Sequence, residues 1–141
     1  MPDRDPATIA RRFVAEVLDG DQLHRAAELV APGVVVHAPT RDEPLVGLDA
    51  LLGYIRSFRA ALSDLSFRVE DVLADGDRVA LRLTVAGTHS GELFGIAATG
   101  LRVSVPEVLI LRVSGGLIVE DWVQADLLGL RAKLAAAAPP G

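Results

Sequence analysis

Any chemistry in this chain must come from a few side chains on strand-like segments. Residues 117–125, LIVEDWVQA, alternate in character, and alternate side chains of a strand share a face. Ile118, Glu120, Trp122, Gln124 and Asp126 then fall on one face, with Asp126 at or just past the strand's end. Leu117, Val119, Asp121, Val123 and Ala125 fall on the other. The first set holds two carboxylates, an amide and the one tryptophan of the chain. Turned inward, it suits acid–base chemistry beside a planar ring; turned outward, it is a polar stripe. In residues 78–89 the row Val79, Leu81, Leu83, Val85 and Gly87 leads into His89, either a core-edge histidine or a pocket group. In residues 101–113, Glu107 interrupts the aliphatic row Val103, Val105, Leu109, Leu111 and Val113. Buried there, it must be paired, protonated or next to water; a bulge at Pro106 would instead turn it to solvent. His37 closes a run of valines. Tyr54, one turn from Leu51 and Phe58, either fills the core or reaches into a pocket.

Other chemistries are excluded by what is missing. The chain has no cysteine, hence no disulfide, thiolate nucleophile or Cys-ligated metal centre. His24, His37 and His89 lack metal-ligand spacing, and no metal is expected. Gly115-Gly116 joins two strands and so is no phosphate-binding loop, and no G-x-S-x-G motif occurs. A net charge of −5 without a basic cluster argues against nucleic acid. No apolar stretch approaches the ~18 residues of a membrane span, and residues 1–6 are polar; a soluble, cytoplasmic protein is expected.

The positioning elements follow from periodicity. The 141 residues, half of them hydrophobic, suggest one domain with a real core. Asp5-Pro6 and Thr8 start a helix whose apolar residues are Ile9, Phe13, Val14, Val17 and Leu18. A short helix is expected over 21–30, a strand over 34–37 and a third helix over 48–62. After Asp64 the period changes from about 3.6 to 2. Strands are expected over 67–73, 78–89, 101–113 and 117–125, with turns at Asp75-Gly76-Asp77 and Ser114-Gly115-Gly116, then a C-terminal helix from Leu127. Helices followed by an antiparallel meander mean an α+β fold.

Three segments carry a family likeness: VVVHAP at 34–39, the G-T-H-x-G element at 87–91 within the 63–100 stretch, and the E-x-W-x-x-x-D element at 120–126. On these the chain resembles the SnoaL-like polyketide cyclases of the nuclear transport factor 2-like superfamily, over nearly its whole length. The resemblance implies a cone-shaped α+β barrel, its curved antiparallel sheet wrapped around three N-terminal helices and enclosing an apolar pocket. It implies a cofactor-independent intramolecular aldol closure in which a pocket aspartate on the last strand, matched to Asp126, is the general acid–base. In those cyclases a histidine on the preceding strand assists; here no histidine follows His89.

These readings combine into an expectation of a polyketide cyclase-like enzyme acting on a small apolar substrate. Asp126 and His89 are the catalytic candidates; His37, Tyr54, Phe94, Glu107, Trp122 and Gln124 are candidates for substrate binding. An epoxide-opening hydrolase or ether-ring cyclase using Asp126 and Glu107, or a non-catalytic small-molecule-binding module, are the alternatives. Residues 91–100, with apolar Leu93, Phe94 and Ile96, are expected to act as a lid or to plug the barrel end. A homodimer is expected through an outer sheet face bearing Leu117, Val119, Val123, Val108 and Ile110.

Overall fold

The computed structural model describes residues 4–138. Asp5 caps the first helix, its carboxylate accepting the Thr8 amide, and Pro6 sits where its missing N–H is no loss. Helix α1 (Pro6–Arg12) runs directly into a π-helical stretch, Phe13–Asp19. After a 3-10 turn at Leu23–Arg25, α2 (Ala26–Leu29) is shorter than the sequence suggests, because strand β1 (Val30–His37) already begins at Val30. Pro32 and Gly33 are tolerated in β1 because its pairing is irregular between Val30 and Val35. Then come β2 (Leu45–Val46), α3 (Leu48–Ala61), β3 (Leu62–Asp75), β4 (Arg78–His89), β5 (Arg102–Ser114), β6 (Leu117–Ala125) and α4 (Leu127–Ala137).

The strands form one curved, open sheet in the order β2-β1-β6-β5-β4-β3. The architecture is the expected α+β fold, with one difference in pairing: β1 lies parallel to β6, and the sheet is mixed. The helical segment between β1 and the meander frees β1 from hairpin geometry. The main core joins the inner sides of α1, the π-helical stretch, α3 and the sheet, with Phe13, Leu81, Leu111 and Ile118 fully buried.

One irregularity governs which side chains face in. Arg112 of β5 pairs with Glu120, yet the next residue, Val113, pairs with Ile118, so β6 carries an extra residue at Val119. Such a bulge shifts side-chain parity by one. Ile118, Asp121 and Val123 are therefore buried on the concave side, while Gln124 is exposed and Glu120 and Trp122 are half-buried on the convex side. The single-face grouping expected from uninterrupted alternation does not hold, and Val123 leaves the expected outer patch.

Between β4 and β5, residues 91–100 form a small hairpin. Leu93 and Ile96 exchange two backbone hydrogen bonds around Phe94 and Gly95, whose φ angles are +54° and +75°. Left-handed φ at both central residues makes this a two-residue turn of the kind that favours Asn-Gly, and a Phe there costs on the order of 1 kcal/mol. Leu93, Phe94 and Ile96 pack on a second apolar cluster that includes Leu130 and Leu134 of α4. At the hairpin's base the Ser90 and Gly91 amides both donate to the Ala61 carbonyl.

That base tests the packing. A Cβ on Gly91 would lie 2.4 Å from the Ala60 carbonyl oxygen, whereas one on the helical Gly53 would meet nothing. Gly91→Ala should lower stability by about 2 kcal/mol and Gly53→Ala should raise it by up to about 1 kcal/mol, both read by urea denaturation.

Candidate active site

The concave face of β3–β6, α3 and the π-helical stretch line a cavity of about 80 Å³, with Leu127 and Leu130 of α4 also in its wall. Its wall is apolar except for three groups: Tyr54 from α3, Glu107 from β5 and Asp121 from β6. Lys, Arg and His are absent from the lining. Asp121 is only 3% exposed, and its Oδ1 has no hydrogen-bond partner among the described residues. Glu107 keeps the inward parity of Val105 and Leu109, so Pro106 does not turn it to solvent. Tyr54 stands edge-on to Phe58, ring centroids 5.2 Å apart, and both also border an outer depression beside Thr40, Arg41 and Ser57.

The other sequence candidates lie elsewhere. Asp126 is exposed and caps α4, accepting the Gly129 amide at 2.9 Å; it does not line the cavity, because the bulge ends its alternation with the inner face and the chain turns into a helix. Gln124 is exposed on the convex side. Trp122 and His37 stack there at 5.3 Å, with the Arg78 guanidinium 5.3 Å from the Trp122 ring. His37 Nε2 contacts Glu120 at 2.7 Å, and Arg112 donates to the same carboxylate at 3.1 Å. This ladder ties β1, β6 and β5 together from outside, so neither His37 nor Trp122 borders the cavity; Val36, buried on the opposite parity of β1, faces inward. His89 is fully buried beyond the cavity's end, its Nδ1 2.9 Å from the Thr99 hydroxyl. Phe94 packs on the second cluster, outside the cavity lining. Among the described residues no group of three or more His, Asp or Glu is placed to hold a metal ion, and no helix is long and apolar enough to cross a membrane.

Residues 8–134 match the family described as SnoaL-like polyketide cyclase. The chain belongs to that family. No curated protein sequence gives a significant match. Among similar solved structures, AclR from Streptomyces galilaeus, provisionally assigned as a hydroxylase, is 29% identical, with a TM-score of 0.80 over 96% of this chain and 98% of that one. IdmH from Streptomyces antibioticus, provisionally assigned as a polyketide cyclase, is 27% identical, with a TM-score of 0.80 over 93% and 99%. A protein from Jannaschia sp. CCS1, provisionally assigned as a SnoaL-like polyketide cyclase, is 22% identical with a TM-score of 0.84 over 96% and 93%, a likeness of fold.

The resemblance to SnoaL-like cyclases implies a pocket aspartate on the last strand. The aspartate that β6 turns into the cavity is Asp121, five residues before Asp126. Where the preceding strand carries an assisting histidine in those cyclases, the polar residue that β5 presents to the cavity is Glu107. A signal for Asp121 existed in the sequence: it is the single carboxylate in a row with Leu117, Val119, Val123 and Ala125, the same anomaly that marks Glu107.

Burial controls the charge of these groups. Desolvation pushes the Glu107 carboxyl up to about 7. Desolvation, and then the neighbouring Glu107 charge, push Asp121 up to about 8. Tyr54 is raised above its ordinary value by burial and then by the charges of Glu107 and Asp121, so its hydroxyl keeps its proton and can donate. Near neutral pH the pair holds both a proton to give and a carboxylate to receive one.

The same shifts set a pH dependence of stability. A carboxyl whose folded value lies above its unfolded ~4 stabilises fully below that value, and the contribution is lost as pH rises through the folded value, by up to about 1.4 kcal/mol per pH unit. For Asp121 the window is about pH 4 to 8. Urea titrations at pH 5, 6.5 and 8 should show wild-type stability falling across the series and Asp121→Asn falling distinctly less.

Proposed function

We propose that this protein is a polyketide cyclase-type enzyme that closes a ring in a small apolar intermediate by proton transfer between substrate and two carboxyl groups. The observation that carries the reading is the pair Asp121 and Glu107 in one apolar cavity, both raised toward neutrality by burial. The family match and the likeness to IdmH support it. The ionised member of the pair acts as base and takes a proton from the carbon that becomes the nucleophile. Its protonated neighbour acts as acid and gives its proton to the carbonyl oxygen under attack. A C–C bond forms, a C–O π bond becomes a hydroxyl, and proton return between the two carboxyls resets the site. With no cation in the wall, developing charge on oxygen is met by protonation and by the Tyr54 hydroxyl. Confinement of both ends of one molecule lowers the entropic barrier to closure. These steps call on no cofactor.

Purified variants test the assignment. Asp121→Asn and Glu107→Gln should each lower turnover about 10²-fold or more, while Asp126→Asn, a helix cap, should stay within about threefold of wild type. Equal tolerance of all three would remove proton transfer from the mechanism.

The same pair favours a second reading, epoxide opening, in which one carboxylate activates the nucleophile and the other carboxyl protonates the leaving oxygen. Turnover in ¹⁸O-labelled water tests the hydrolytic form, in which water is the nucleophile and one labelled oxygen enters the product. When a hydroxyl of the substrate is the nucleophile no label enters, and the product's ether ring, in place of a new C–C bond, distinguishes it from aldol closure.

A homodimer remains part of the proposal. Val108 and Ile110 stand 39% and 38% exposed on the convex face beside Trp122, and covering that face favours pairing of two copies. Light scattering at micromolar concentration should give a dimer mass, and Ile110→Lys should shift it toward the monomer.

A further inference from the structure

The cavity is small for such a substrate. Its roughly 80 Å³ is about half the ~150 Å³ of an engineered apolar cavity that binds benzene. A molecule with two reacting ends requires part of the wall to give way. Leu93, Phe94 and Ile96 pack against the second apolar cluster, of which Leu62, Val103 and Leu130 line the cavity, yet do not line it themselves. The hairpin they stand on is tied at its ends, Gly91 to Ala61 and Gly100 to His89. Between those ties the backbone-to-backbone hydrogen bonds, among the described residues, are the two that Leu93 and Ile96 make with each other; the Thr99 amide, near the hairpin's far end, donates to the His89 ring. Side-chain packing alone holds the tip down.

His89 supplies an independent observation. The Thr99 amide donates to His89 Nδ1 at 3.2 Å, while the Thr99 hydroxyl, which accepts the Leu101 amide, lies 2.9 Å from the same nitrogen. A nitrogen that accepts carries no proton, so the neutral ring carries it on Nε2. Nε2 is buried and has no partner among the described residues. Buried donors are nearly always paired, and one left over calls for an acceptor. His89 also continues the inward row of Val85 and Gly87, both of which line the cavity.

We propose that withdrawal of the Leu93–Ile96 tip lengthens the cavity along this row to His89, whose Nε2–H then donates to an uncharged oxygen of the substrate. The inference rests on the cavity being the substrate site, and it deepens that reading. The substrate is a neutral, largely apolar molecule with a carbonyl or hydroxyl at the end away from the carboxyl pair. Thr99, by occupying Nδ1, fixes the tautomer that makes His89 a donor.

Two probes of matched shape test this: 2-acetylnaphthalene, with a carbonyl, and 2-ethylnaphthalene, without one. NMR follows the methyls of Leu109 and Val123 in the cavity wall, those of Leu93 and Ile96 in the hairpin, and the His89 Nε2 proton. Both probes should shift both sets of methyls; the ketone alone should shift the His89 proton and should bind about five- to tenfold tighter. Phe94→Ala should tighten binding of both probes. Cavity methyls that move while the hairpin methyls or the His89 proton stay still under the ketone overturn the inference and leave the cavity as the binding site. If neither probe moves the cavity methyls, the cavity reading falls, and this inference with it. All of the NMR readouts are made on the wild-type protein, so a variant that fails to fold does not blunt the test.

Discussion

Asp121 and Glu107 share a cavity only because β6 is one residue out of step with β5 at Val119. Without the extra residue, alternation from Ile118 would carry Glu120 and Trp122 inward and send Asp121 to the convex side. The bulge thus sorts the acids of this strand by role. Glu120, outside, is held below its ordinary value by the hydrogen bond from His37 and by Arg112, and it braces three strands. Asp121, inside, has no countercharge and is pushed the other way.

The helices complete this contrast. Phe13 and Leu18 from the π-helical stretch, and Leu51 and Ile55 from α3, roof the sheet and remove water from the two carboxyls. Leaving a buried acid without a cation costs stability when it ionises, and a protein selected for stability alone would place a leucine there. The pair is instead kept at protonation states that a proton-transfer site uses. Tyr54 sits where that low-polarity space meets the outer depression, as a neutral hydroxyl donor in the wall.

Much of the fold was legible because its signals are local. Strands β4 and β6 begin and end where alternation and turn residues place them, and the rows through Leu81 and Leu109 face inward as parity requires. Two non-local features were not legible. The parallel docking of β1 on β6 depends on contacts across more than eighty residues, such as His37 with Glu120. The bulge leaves no local mark in LIVEDWVQA, since Val119 is as good a strand residue as its neighbours, and the single slip misplaced Trp122, Gln124, Asp126 and Val123 together. Glu107 was found because β5 runs without a bulge beside it. Asp126 was misread because an aspartate just past a strand and just before Leu127 is equally a helix cap, which is what it is.

A wall whose ionisable side chains are two carboxyls and a phenol, with no cation, also sorts molecules by charge. A carboxylate or phosphate brought near Glu107 would meet repulsion in a medium too apolar to screen it. On the proposed reading, such a wall favours neutral molecules and disfavours any product that ionises to an anion. On that reading, a reaction ending in a neutral ring gives a product the wall does not repel, whereas one ending in an acid gives a product that it does.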